Sequence, residues 1–422
     1  MNAPTVPRVA VIGGVRTPFA RAGAQLRRWS ALELSVHAVN ALLARLELEP
    51  AAVEELAFGN VVLDPRTPHL AREVVFGSRL PAAVRALTLV DNCITGTSAI
   101  EHVAAGIRAG RIEVGIAGGV ESMSNPAVLF TRRAGGIFVD LARARGLRAR
   151  LGAALRLRPR DFLPAPPAIA EPSTGLSMGE HCELMVKTWG IGREAQDLLA
   201  WRSHRHAWAA TEDGRLPAEI APIDDIDRDP LIRADSSMEQ LARLPTVFDR
   251  SPAGTITAGN SSPLTDGAAA LVLMSESAAA REGREPLAFL GDAVNASIDP
   301  ADGLLMGPGL AVPRLLARTA LALDDVDVVE MHEAFAGQVL CNLAAWERGW
   351  KEPAIGRVSP DRLNPLGSSI AVGHPFAATG IRILTTLANE LARRGARRGL
   401  VSICGAGATA VAMLLERDGE AA

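Results

Sequence analysis

Two segments of this chain occur twice, in the same order and with the same polarity pattern. ALELSVHAVNALLARLELEPAAVEELAFGNVV (31–62) reads as a helix, a short acidic loop and a strand, and GPGLAVPRLLARTALALDDVDVVEMHEAF (307–335) repeats that order down to the LLAR and the acidic turn. GTSAIEHVAAGIRAGRIEVGIAGG (96–119) pairs in the same way with GIRILTTLANELARRGARRGLVSICGAG (380–407). Each member of this second pair is a Gly-started helix, a basic turn and an apolar strand that ends in glycines. An internally duplicated α/β unit is the economical reading. Short apolar runs alternating with amphipathic stretches then predict a layered α/β protein with a doubly wound core.

Between the halves, residues 126–253 are rich in Pro, Arg and acidic turns, and helical stretches such as REAQDLLAWRSHRHAWAATEDG (193–214) lack strand partners. This region reads as a helical and loop insertion, and loops on a rigid scaffold commonly carry substrate binding. The expected organisation is therefore 1–125 plus 254–285 as the first half, 126–253 as the insertion, and 286–422 as the second half.

A chain of 422 residues, 48% hydrophobic and with a formal net charge of -3, can bury a large core and has no global bias toward nucleic acid. The N-terminal MNAPTVPRVAVIGGVRTPFAR lacks the apolar core and cleavage site of a secretory signal, and no stretch is long and clean enough to span a bilayer. Four scattered cysteines, at 93, 182, 341 and 404, argue against a zinc cluster or a disulfide framework and suit a reducing cytoplasm.

Three reactive side chains stand in Gly-rich, small-residue settings: Cys93 in VDNCITGTSAIEHVAAG (90–106), His374 in SSIAVGHPFAATG (368–380) and Cys404 in VSICGAGATAVAML (401–414). Acyl transfer needs a nucleophilic thiolate, a base that makes it, and a second acid/base for the other half-reaction. Thr95, Gly96 and Thr97 are plausible first-turn residues, so Cys93 is expected at a helix N-terminus, where amide N–H groups and the macrodipole favour a thiolate. The Gly-His-Pro turn leaves the His374 imidazole free to point into a cavity. In CGAGA, small residues permit a thioester oxygen to approach backbone N–H groups. On the residues alone, a buried inert Cys93 and a solvent-facing His374 stay open.

The motifs VRTPFAR (15–21), DNCITGTSAI (91–100), AGGVESMS (117–124), GTITAGNSSPLTDGAAA (254–270), MHEAFA (331–336), GHPFAATG (373–380) and CGAGA (404–408) follow one another in the order found in thiolases, and over nearly its whole length the chain resembles that family of acyl-CoA C-acyltransferases. The resemblance implies a thiolase-like, duplicated, layered α-β-α-β-α core with an inserted helical domain. It implies a 3-ketoacyl-CoA thiolase in which Cys93 carries the acyl group, His374 takes the Cys93 proton, and Cys404 is the acid/base toward departing acetyl-CoA or incoming CoA. The oxyanion holes implied are the Cys93 and Ala406 amides on one side, and His332 with His374 on the other. Many thiolases have Gly where Ala406 stands, but a backbone donor needs only its N–H.

The spellings of MHEAFA and GHPFAATG look like the fatty-acid-oxidation branch that serves as β subunit of trifunctional complexes; the short-chain biosynthetic branch usually has Asn at His332. Glu333 is expected to position its neighbours. Met178, Arg233, Phe248, Ala258 and Ser262 match CoA-contacting positions, while Gln240 departs from the usual Ser or Tyr. CoA is implied as a substrate, with no resident cofactor and no metal; a homodimer or dimer of dimers and a hydratase/dehydrogenase α subunit are implied as partners. A decarboxylating β-ketoacyl synthase would have a second His in place of Cys404, and an idle scaffold subunit would be expected to have lost one of the three reactive groups.

His204 and His206 are two apart on a helix and so on different faces, which disfavours a metal pair. Cys182 and Cys341 read as packing residues. Residues 131–162 combine Leu, Ile and Phe with many arginines and little acid, as a surface helix for an anionic membrane or a partner would; a plain solvated helical insertion stays equally open.

Overall fold

The repeat in the sequence becomes a repeat in sheet topology. The computed structural model describes residues 6–163 and 170–418, so the extreme ends of the first and last expected segments and residues 164–169 of the expected insertion lie outside it. The first half runs β1 (Val9–Arg16), a two-residue β2 (Ala20–Arg21), α1 (Ala31–Arg45), β3 (Glu55–Asn60), α2 (Leu70–Gly77), β4 (Arg85–Leu89), α3 (Thr95–Arg108) and β5 (Val114–Glu121). Helices α4 (Arg132–Arg143), α5 (Leu147–Ala154), α6 (Met178–Trp189), α7 (Arg193–Glu212) and α8 (Met238–Ala242) follow before β6 (Thr265–Ser275) and α9 (Glu276–Arg281). The second half runs β7 (Ala288–Ser297), α10 (Pro308–Thr319), β8 (Val328–Met331), α11 (Ala336–Arg348), α12 (Ser369–Val372), α13 (Phe376–Arg394), β9 (Arg398–Gly405) and β10 (Thr409–Glu416).

The strands lie in the order β4-β3-β5-β6-β1-β7-β10-β9-β8. Read outward from the β1–β7 junction, β6 answers β10, β5 answers β9 and β3 answers β8. The sheet is mixed, unlike the parallel core that double winding would give. β3 pairs in parallel with β4 and β5, as β8 does with β9, whereas β6 and β10 enter antiparallel to both their neighbours. In the second half the reason is local: β9 and β10 are joined by the tight Ala406–Ala408 turn, and a short connection can return only antiparallel.

Side-chain alternation along each strand sorts the core into layers. On β1, Val9 and Val11 face a cluster with Ile100 of α3, Ile381 and Leu384 of α13, Ile403 and Val411; Ala10 and Ile12 face the opposite way, onto Leu34, Leu42 and Val74 of α1 and α2. On the far side, Leu315, Val339 and Trp346 of α10 and α11 cover Val329, Leu400 and Ala412. Helices α3 and α13 are thus sandwiched between two sheet halves with helices outside both, giving α-β-α-β-α layers. Where they cross, a Cβ on Gly96 would come within 2.6 Å of the Ala377 carbonyl oxygen, so only glycine permits the approach. Within the sheet the strands of the two halves pair over Val9–Val11 against Ala288–Leu290, and outside it backbone bridges join Ser261 to Phe335 and Leu264 to His374.

Among the described residues, those between β5 and β6 add no strand to the sheet. They are pinned to it by a buried two-pronged pair, Arg16 Nη1 and Nη2 to the Asp229 carboxylate at 2.6 and 2.7 Å. Capping boxes at Ser30/Glu33 and Ser177/Glu180 start α1 and α6.

Candidate active site

The nucleophile's position is set by a turn. Leaving β4, the chain passes through Asn92 at φ 47°, a left-handed conformation that Asn tolerates better than most residues, then through Cys93, and enters α3 at Thr95. Thr95 locks the turn: its Oγ1 accepts from Asp91 N at 2.7 Å and donates to Asn92 O at 2.7 Å. The Asn92 side-chain amide donates to Ala406 O at 2.9 Å, reaching across to the turn after Cys404. Cys93 keeps a partial opening to solvent, while Cys404, at the end of β9, is buried. The N–H groups of Ala406 and of Cys93 itself both bear on the Cys93 sulfur. Ala406 is not among the residues of positive φ, so its methyl carries no backbone cost.

The base arrives from the other half. Gly373 adopts φ 103°, where a side chain would be strained and its Cβ would meet Thr265 Oγ1 at 2.8 Å, and the turn it makes delivers His374. His374 Nε2 lies 3.3 Å from Cys93 Sγ and its Nδ1 lies 2.7 Å from Thr379 Oγ1. Thr379 donates its one hydroxyl proton back to Pro375 O at 3.1 Å, so it can only accept from His374. That puts the imidazole proton on Nδ1 and leaves the Nε2 lone pair facing the sulfur.

His332, just past β8, lies beside it with ring centroids 4.1 Å apart and the rings tilted by 44°, and the ligand-type atoms of Cys93, His332 and His374 all lie within 4.8 Å of one another. These are also zinc-binding atom types, but here the Cys93–His374 contact has hydrogen-bond geometry and leaves the sulfur as nucleophile. His332 Nδ1 meets Ser369 Oγ at 2.8 Å, while its Nε2 is buried without a partner.

Electrostatics correct one expectation. The helix N-terminus is present, yet burial pushes the Cys93 thiol up to about 11, with Glu121 adding to the rise against the pull of the Ala406 amide. Burial and then the charge of Arg382 bring His374 down to about 3; His332 is depressed still more clearly, by burial, His374 and Arg382. The resting pair is a neutral thiol beside a neutral imidazole, because a dipole end cannot outweigh desolvation of a buried sulfur. Cys404 is likewise held protonated, by burial and by the neighbouring Cys93.

Glu333 holds its neighbours in place: Ser203 Oγ, Asn364 Nδ2 and the Ile370 amide donate to its carboxylate at 2.7, 2.8 and 3.3 Å, tying α7 and the 364 loop to α12. Of the CoA-contact candidates, Met178 and Phe248 pack on the cluster containing Cys404 and Phe335, with Phe248 edge-on to Phe335 at 5.9 Å. Ser262 Oγ donates to Ala334 O at 3.0 Å, and exposed Ala258 sits in the same loop. Arg233 and Gln240 are exposed and stand apart from this cluster; the Arg233 amide donates to His204 Nδ1 at 3.3 Å. His204 is buried and His206 shares Asn364 O at 3.1 Å, so they do face differently, and Cys182 and Cys341 are packing residues behind Cys404.

Asn92, Thr379, Ser369, Arg382 and Glu121 escaped the sequence reading. Glu121 ends β5 and accepts from Asn60 Nδ2 at 2.6 Å, Val62 N at 2.8 Å and Ala377 N at 3.2 Å, linking both halves; burial raises it to about 7. A lone acid closing the apolar run VGIAGGVE was the available signal.

The seam between the halves offers a substrate one sulfur able to carry an acyl group and a second thiol able to move a proton, which places the protein among thiol-dependent acyltransferases. Family models described as "Thiolase, N-terminal domain" and "Thiolase, C-terminal domain" match residues 9–277 and 284–417, and the chain belongs to the thiolase family. It is 42% identical over 422 residues to a 3-ketoacyl-CoA thiolase of Shewanella denitrificans and 43% identical over 427 residues to one of Escherichia fergusonii, each match covering 97% of both chains. Human mitochondrial 3-ketoacyl-CoA thiolase superposes with TM-score 0.84 at 29% identity, covering 98% of this chain and 100% of that one. An Ascaris suum thiolase solved in complex with coenzyme A gives TM-score 0.83 at 27% identity, over 97% and 100%.

Proposed function

We propose that the protein is a 3-ketoacyl-CoA thiolase that cleaves 3-ketoacyl-CoA with CoA to acetyl-CoA and a shortened acyl-CoA. The observation that carries this reading is the 3.3 Å contact of Cys93 Sγ with the His374 Nε2 lone pair, beside the buried Cys404 thiol. As His374 takes the thiol proton, the sulfur attacks the keto carbon. The C2–C3 bond breaks, its electron pair passes to the acetyl-CoA enolate, and Cys404 supplies the proton to that carbon. CoA then gives its thiol proton to the Cys404 thiolate, its sulfur displaces Cys93 from the acyl group, and the departing Cys93 sulfur takes its proton back from His374. The Cys93 and Ala406 amides hold the oxygen on the acyl-enzyme carbon, and the His332 N–H with protonated His374 holds the thioester oxygen of the departing acetyl unit. Met178, Phe248, Ala258 and Ser262 line the approach for CoA, with Arg233 farther out.

The full-length likeness to 3-ketoacyl-CoA thiolases and the presence of His332 favour the β-oxidation reading over a short-chain biosynthetic thiolase or an idle scaffold. Incubation with acetyl-CoA followed by peptide mass spectrometry tests it: an acetyl group on Cys93 is expected, and label confined to Cys404 or absent overturns the assignment.

In this reading CoA is a substrate, no resident cofactor or metal is used, the enzyme works in the cytoplasm, and it assembles as a homodimer or dimer of dimers. No helix among the described residues is long and apolar enough to cross a membrane. The α4–α5 region is the surface for an anionic membrane or an α subunit: Leu147, Leu151, Leu155, Phe162 and Leu163 are exposed there among Arg143, Arg145, Arg148 and Arg150.

A further inference from the structure

We propose that Ser369 and Arg382 are positioning residues that decide which nitrogen of His332 carries its proton, and so whether His332 presents a donor or a lone pair to the substrate. The proposal deepens the thiolase reading above and rests on it for its catalytic meaning. Arg382 reaches from α13 and donates through Nη2 to Ser368 Oγ and Ser369 Oγ, each at 3.1 Å. A guanidinium has donors only, so Ser369 must accept from it. The hydroxyl oxygen could accept a second time, but its proton needs an acceptor, and of the two side chains bonded to Ser369 Oγ only His332 Nδ1, 2.8 Å away, can take it. Nδ1 is thereby an acceptor, and the neutral imidazole must carry its proton on Nε2.

His332 Nε2 is the atom left without a partner, fully buried, in the space shared with Cys93 and His374. A pre-aimed N–H with nothing to bond at rest is what a developing oxyanion requires, whereas the opposite tautomer would turn a lone pair on it. Arg382 is itself 2% exposed, with Glu330 Oε2 at 3.8 Å as its nearest carboxylate, so its charge acts inward with little solvent screening.

One helix therefore sets both imidazoles, in opposite senses. Thr379 and Arg382 are three residues apart on α13 and so share a face. Thr379 accepts from His374 and bares its Nε2 as a base; Arg382, through Ser369, feeds a proton to the other side of His332 and makes its Nε2 a donor.

Nitrogen NMR of the full chain labelled at histidine reads this directly, the His332 signals being identified among the 8 histidines by their loss in His332→Asn. Wild type is expected to show His332 protonated on Nε2 and not on Nδ1; the reverse overturns the proposal whatever the protein's substrate proves to be. Kinetics supply the second arm. Ser369→Ala should lower kcat for 3-ketoacyl-CoA thiolysis on the order of 10-fold or more, toward the roughly 10²–10³ of losing an oxyanion donor outright. KM for CoA and the rate of Cys93 alkylation by iodoacetamide should stay near wild type, and Ser369→Thr, which keeps the hydroxyl, should recover most of kcat. Equal loss in alkylation and thiolysis, or no recovery with threonine, would mean a packing role only. Should Ser369→Ala fold poorly, Arg382→Lys serves instead: kcat is expected to fall with KM unchanged, and an unchanged kcat with an unchanged His332 spectrum overturns the relay. A wild-type protein with no thiolysis of any 3-ketoacyl-CoA would defeat the proposed function and leave the tautomer assignment to stand or fall on its spectrum.

Discussion

Asn92 donates its side-chain amide to the carbonyl of Ala406 at 2.9 Å, clasping the turn that carries the nucleophile to the turn that follows the second thiol. The bond joins the two halves of the chain at the point where the Ala406 amide bears on the Cys93 sulfur. Because Asn92 also sits at φ 47°, its two roles can be separated by substitution. Asn92→Gly should keep the fold, since glycine accepts that backbone, but lower kcat by loosening the Ala406 amide. Asn92→Ala should lower kcat similarly and also cost roughly 1–2 kcal/mol of stability from the left-handed backbone. Denaturant melts and steady-state rates on both variants check this; equal stability loss in both would refute the separation.

Cys93 and His374 predict an unusual alkylation profile. With the thiol raised to about 11 and the imidazole lowered to about 3, neither ionises near neutrality, so an ion pair of thiolate and imidazolium is not stored at rest. Iodoacetamide should modify wild-type Cys93 through proton transfer to His374, with no tenfold-per-unit rise from pH 6 to 9 and only a modest slowing as Glu121 ionises near 7. In His374→Ala the rate at pH 7 should drop and then climb about tenfold per pH unit, as the thiolate fraction alone does. A wild-type profile with a midpoint near 8 would show a free thiolate and sink the neutral-pair description.

Cys404→Ser should leave that alkylation nearly intact while suppressing thiolysis and condensation by a factor on the order of 10²–10⁴, the usual range for a positioned acid/base. Parallel losses in both assays would mean that Cys404 supports the nucleophile and does not act on the second substrate.

Glu121→Gln offers a gentler probe of the same sulfur. The carboxyl raises the Cys93 thiol, so its neutral replacement should lower it and speed alkylation at pH 8, where Glu121, held near 7, is largely ionised. Below pH 6 the wild-type carboxyl is largely protonated and the two proteins should converge; divergence there would assign the effect to lost hydrogen bonds with Val62 and Ala377.

In the α4–α5 region, Arg156 is paired with Asp140 at 2.7 Å and Arg133 with Asp161, whereas Arg143, Arg145, Arg148 and Arg150 are exposed and in no ion pair among the described residues. Changing those four to Gln should weaken sedimentation with anionic liposomes or co-purification with an α subunit, without altering turnover of a soluble C4 substrate. Salt should mimic the substitutions, since the Debye length falls to about 3 Å at 1 M. Indifference of both readouts to charge and salt would make the patch a solvated cover.

The duplicated α/β frame was legible because α1 with β3 and α10 with β8 carry the same local pattern, and local patterns survive in a linear string. So were Cys93, His374 and Cys404, each flagged by nearby glycines: Gly373 and Gly407 make the turns beside the latter two, while Gly96 serves the close approach of α3 to α13 behind Cys93. Strand direction was not legible: whether β6 returns parallel or antiparallel depends on a connection of well over a hundred residues through α4–α8. Nor was the neutrality of Cys93, because desolvation arises only when α13 and the 406 turn close over it. Ser369 and Arg382 looked like ordinary polar residues of a loop and a helix; their meaning lies in a contact with His332, 37 residues from Ser369 and on a different element.

The direct strand pairing between the halves in the sheet is three residues long, and much of the remaining contact is a seam in which α13 packs against α3 and against β1, β5 and β6 of the first half. The nucleophile stands on one side of that seam and its base and proton donor on the other. Reactivity is therefore owned by neither copy of the ancestral unit: a fission of the chain near residue 283 would give two pieces with complementary debts, one a thiol with no base, the other a base with no thiol. The same division makes activity a reporter of the seam, so that on warming the enzyme should fall silent as the halves shear, before either half has lost its own sheet.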